Sequence, residues 1–96
     1  MEVLFAANQA AIEVVPGIVR RHRSEGILTW RLLHQIEAEV VAELAASGRY
    51  NPRMLDMLRS PAVLDYPKDE RPVSFEGHDF VPGIFNAIHD AWRQVD

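Results

Sequence analysis

The sequence predicts a mainly α-helical domain spanning residues 1–96, a compact bundle of four or five helices with a small β-hairpin before the C-terminal helix. Apolar residues return every three or four positions along three long stretches, the spacing that gives a helix one oily face. Helix-starting residues stand ahead of those stretches, and glycine or proline follows them. With 96 residues, 48% hydrophobic and 25% charged, the chain can bury one core and is too short for two. A winged-helix-like arrangement is the alternative, because helices followed by a hairpin share that outline.

From Val3 to about Arg23, the residues Leu4, Ala7, Ala11, Val15, Ile18 and Val19 form the first stripe. Pro16-Gly17 interrupts it, because proline removes a helical hydrogen bond and crowds the preceding turn. The expectation is a kink, or a break with Pro16 opening a second short helix. Ser24-Glu25-Gly26 reads as a connector.

Thr29 then supplies an N-cap, and Leu28 before it can pack on Leu33 as a hydrophobic staple. The spacing predicts a helix from Trp30 to about Ser47, with Trp30, Leu33, Ile36, Val40, Val41 and Leu44 inward. Arg31, Gln35, Glu39 and Glu43 fall on or near the wet side, and Gly48 stands where a helix ends on a positive φ. Asn51-Pro52 and Ser60-Pro61 each couple a cap with a first-turn proline, predicting short helices over 52–59 and from 61 to about 64.

Tyr66 to Pro72 is a charged loop bounded by prolines. Val73 and Phe75 alternate as a strand does, and Glu76-Gly77-His78-Asp79 can turn the chain toward Phe80 and Val81, completing the hairpin. Pro82 opens the last helix, which runs to about Val95 with Ile84, Phe85, Ile88, Trp92 and Val95 inward.

Composition narrows function more than it identifies it. The chain has no cysteine, which excludes disulfides and thiolate chemistry. No run approaches ~20 consecutive apolar residues, the length a membrane-crossing helix needs. The opening Met1-Glu2-Val3-Leu4-Phe5 lacks the basic start of a secretory signal, so a cytoplasmic location is expected. The abundance of Ala, Arg and Val suggests a GC-rich bacterial source. A net charge of −4 runs against nucleic-acid binding, which relies on a basic surface to meet phosphates.

Four constellations are candidates for function. Arg20, Arg21 and Arg23 form a basic run that can grip an acidic partner, although cations at a helix C-terminus also simply offset its dipole. A helix-turn-helix with a wing would need a recognition element at Ala62, Val63, Leu64 and Asp65, which offers little to a base edge. Its wing would carry Glu76 and Asp79, which phosphates repel. His34 with Glu37, His78 with Asp79, and His89 are of metal-ligand type, but no H-E-x-x-H or comparable spacing gathers them, and no cofactor is expected. Finally, Met54, Met57 and Tyr66 are candidate exposed apolar contacts. With no phosphate loop and no nucleophile elbow, catalysis is the less favoured class. The expected function is a non-enzymatic protein–protein interaction or regulatory module, with self-association as a homodimer included. A DNA-binding regulator and a small metal-dependent enzyme are the alternatives.

Overall fold

The computed structural model describes residues 2–48, 50, 53, 66–76 and 83–94, the first seven of these by backbone alone. Helix α1 spans Glu2–His22 and a 3-10 turn follows over Arg23–Glu25. Helix α2 spans Trp30–Ala46, and α3 spans Gly83–Gln94. The radius of gyration, 13.0 Å, is what a folded chain of this length should have. Among the described residues no helix is long and apolar enough to cross a membrane.

Each helix turns its stripe to one centre. From α1 come Ala11, Val15, Ile18 and Val19; from α2 Trp30, Leu33, Ile36, Val40 and Leu44; from α3 Ile84, Phe85, Ile88 and Trp92. Leu32 joins them, since α2 is sandwiched widely enough to bury more than a narrow stripe. Val41 is half-buried. Side chains of Leu4 and Ala7, and the whole of Pro82 and Val95, lie outside the described residues.

Pro16 neither ends α1 nor opens a separate helix; it sits inside an uninterrupted span. Its ring is exposed, so the missing N–H costs α1 one helical bond on the face away from the core. Buried Val15, Ile18 and Val19 on either side hold the helix by packing, which outweighs the lost bond.

Both ends of α2 carry the expected grammar. The Thr29 hydroxyl accepts the Leu32 N–H at 3.2 Å, and the Thr29 carbonyl accepts the Leu33 N–H at 2.9 Å. Gly48 has φ +71, the left-handed conformation that lets the chain turn away.

The expected four or five helices and the hairpin are not what the described residues form: they comprise three helices and the 3-10 turn, with no sheet. The helices predicted over 52–59 and 61–64 fall outside the described residues, except that Arg53 has helical backbone. Val73 and Phe75 are not in a strand, and Phe80 and Val81 lie outside the described residues. Instead their segment runs antiparallel past the start of α2. Thr29 and Pro72 form an isolated bridge, and the Val73 N–H donates to Leu28 at 2.9 Å.

That pairing has a reason. The first N–H groups of a helix have no partner within it. Here the Trp30 N–H donates to the Arg71 carbonyl at 3.0 Å and the Arg31 N–H to the Asp69 carbonyl at 2.8 Å. Arg31 also pairs through its guanidinium with Glu70. The 69–73 segment is thus a strap across the N-terminus of α2. Serving unsatisfied donors gives the segment a partner, whereas a two-stranded ribbon is marginal alone. No wing forms among the described residues, and residues 77–81, where it would turn, lie outside them.

Candidate functional site

The histidines resolve first. His34 donates from Nε2 to the Pro67 carbonyl at 2.9 Å and stands edge-on to Phe85, with 5.3 Å between ring centres. His89 is half-buried against Phe75 at 5.2 Å. Both help seat the strap and its flanks. His78 and Asp79 lie outside the described residues. Among the described residues no group of three His, Asp or Glu side chains converges as a metal would need.

Tyr66, expected as an exposed contact, is buried. Its ring lies 5.5 Å from Trp30 and 5.4 Å from Phe85, and burial pushes its phenol above the ordinary value of 10.0. The proline-bounded loop brings Tyr66 back over the α2–α3 seam, where a large ring gains more from packing than from exposure. Met54 and Met57 are outside the described residues.

Of the basic run, Arg20 and Arg21 are exposed in the last turn of α1, where they complement the helix C-terminus. Arg23 is half-buried and engaged: its guanidinium sits 5.2 Å from the centre of the Trp92 ring, and Nη1 donates to the Gly26 carbonyl at 3.4 Å. The contact joins the basic end of α1 to the last turn of α3, which carries exposed Arg93.

Beside this end lies an open groove between α1 and α3, about 400 Å³ in volume. Val15 forms its floor with half-buried Ala87 and Ala91; Ile12, Pro16, Asn86 and Asp90 form its sides. Ile12 is 36% exposed, one of two large apolar side chains open to solvent among the described residues; the other is Ile27 at 65%. The groove arises from residue size. Gly83, Ala87 and Ala91 recur at a spacing of four along α3, so this flank lacks the bulk that fills the core side. Pro16 has no N–H, so the Ile12 carbonyl lacks its usual donor four residues on. Sequence reading missed this surface, although the small-residue spacing was its one visible signal.

A second cluster sits at the α1–α2 corner. His22 Nδ1 lies 2.7 Å from Glu25 and Nε2 lies 2.8 Å from Glu39. Burial pushes the His22 pKa down, but hydrogen bonds and charge attraction from Glu25 and Glu39 outweigh it, and the net value lies above 6.5. Glu37, two residues from Glu39 on α2 and so turned to another side of the helix, is fully buried, and no buried side-chain nitrogen or oxygen among the described residues lacks a partner.

A family model described as a protein of unknown function, DUF2471, matches residues 3–96. No curated protein matches the chain, and no solved structure does.

Proposed function

The chain belongs to the DUF2471 family, and from that premise we propose that it is a non-enzymatic interaction module whose α1–α3 groove binds a protein partner. The groove itself carries the reading: half-buried Ala87 and Ala91 and exposed Ile12 leave an apolar recess beside the core face that α1 and α3 share. Protein partners are drawn to apolar recesses rimmed by polar groups, because burying the recess supplies affinity while the rim sets orientation.

The groove's own polar sides are Asn86, Asp90 and Gln94, and the basic groups lie beyond them, at the ends of the helices. Arg20, Arg21 and Arg93 lie toward the end where Arg23 covers Trp92. A partner segment with an apolar ridge and acidic residues at that end complements both features. A second copy of the chain is included among such partners.

Site-specific photo-crosslinking in cells that naturally make the protein tests this. A photoreactive residue replacing Asn86 should give a discrete protein adduct, weakened when Arg20 and Arg21 are both changed to Glu. The same probe at Ile27, outside the groove lining, should not give that adduct. Equal adducts from both positions, or none at Asn86, would overturn the proposal. An adduct of the chain with itself would identify the partner as a second copy.

A further inference from the structure

We propose that His22 is a proton-operated clasp that pins the C-terminal turn of α1 to α2, closed when both ring nitrogens carry hydrogen and open when one is lost. The proposal rests on geometry and stands whether or not the groove binds a partner.

The ring has a carboxylate on each side. Nδ1 meets Glu25 in the 3-10 turn at 2.7 Å, and Nε2 meets Glu39 on α2 at 2.8 Å. Ionised carboxylates only accept hydrogen bonds, so both contacts exist together only when both nitrogens donate. Neutral imidazole keeps one N–H; its other nitrogen then points a lone pair at a carboxylate oxygen, turning attraction into repulsion. The two nitrogens face opposite ways, so the cluster has the form of a bridge and not of a metal cage.

The carboxylates are held independently of the ring. Arg31 Nη2 lies 3.7 Å from Glu25, and Gln35 donates to Glu39 at 3.3 Å. Arg31 also bonds Gln35 at 2.9 Å and pairs with Glu70 on the strap. The charged groups acting on the ring are therefore Glu25 and Glu39, with Arg31 at one remove. Of the side-chain types in this network, imidazole is the one whose charge changes near neutral pH. When it does, the frame stays and only the link to α1 is released.

The direction follows. The folded-state pKa of His22 is raised above its ordinary 6.5, so the clasp contributes fully below that value. It is lost as pH rises through the folded pKa. Opening loosens the turn that places Arg20, Arg21 and Arg23.

Nuclear magnetic resonance of the full chain from about pH 5 to about pH 8 tests this. The His22 ring should titrate above 6.5. Protection of the Gly26 amide, which closes the turn onto Arg23 at 3.2 Å, should fall several-fold across the same midpoint after correction for intrinsic exchange. In Glu39→Gln the midpoint should move down and the loss of protection should follow it; in His22→Gln the pH dependence should vanish. A wild-type midpoint at or below 6.5, or one that Glu39→Gln leaves in place, would refute the clasp. Protection that does not follow the ring's midpoint would refute it too. Glu39→Gln is decisive even if His22→Gln fails to fold, because Glu39 is half-buried and its replacement keeps its size.

Discussion

Gly48 carries the sharpest consequence for a single atom. A Cβ there meets no neighbour within 4 Å, so space is not the obstacle. The backbone at φ +71 is: an L side chain is strained in that region. Gly48→Ala should therefore lower stability by about 1 kcal/mol with no change in packing, read by chemical denaturation with an unchanged denaturant slope. Glu37 makes the opposite point. Its carboxylate is buried because α2 is covered on more than one side, and its period along the helix did not separate it from exposed neighbours. Tyr66 was misplaced for a related reason: the loop's charge and prolines describe how the chain runs, and the seam between α2 and α3 decides where the ring goes.

Among the elements, α2 is the one whose start is most heavily determined. Thr29 caps it from within, and the strap supplies carbonyls from Asp69 and Arg71. Thr29→Ala should cost about 1 kcal/mol, the usual worth of a cap. The strap limits fraying, so the loss should appear as a lower midpoint for the whole molecule and not as local unwinding of Trp30 and Arg31 in hydrogen exchange. The strap itself is braced by Asp69. Its carboxylate accepts the Arg71 N–H at 3.1 Å and Arg71 Nε at 2.8 Å, and these bonds hold its pKa below the usual carboxylate range. Local alternation at Val73 and Phe75 was legible as extended chain. Its partner was not, because the unsatisfied donors of α2 lie far away in sequence.

Across the whole molecule, Phe85 is the shared brace. It is fully buried on α3 and touches Tyr66 from the loop and His34 from α2. Phe85→Ala should destabilise by about 3–5 kcal/mol, since cavity formation adds to the lost transfer energy. Thermal unfolding should show one cooperative transition at a lower midpoint, with strap and helices lost together. Two separable transitions would mean that the loop is not integral to the core.

The sequence by itself determined the mainly helical class, the span and caps of α2, and the apolar stripes that meet in the core. These rest on interactions within about four residues, where period, capping and glycine geometry act directly. Only the tertiary structure decided that Pro16 stays inside α1, that 69–73 serves α2, that Tyr66 and Glu37 are buried, and that His22 lies between Glu25 and Glu39. Each of those outcomes depends on what covers a face or meets a polar group from another part of the chain. His22 and Glu39 are 17 residues apart, Arg31 and Glu70 are 39. Over such separations the chain's local preferences carry no information about partners; packing of the helices brings them together.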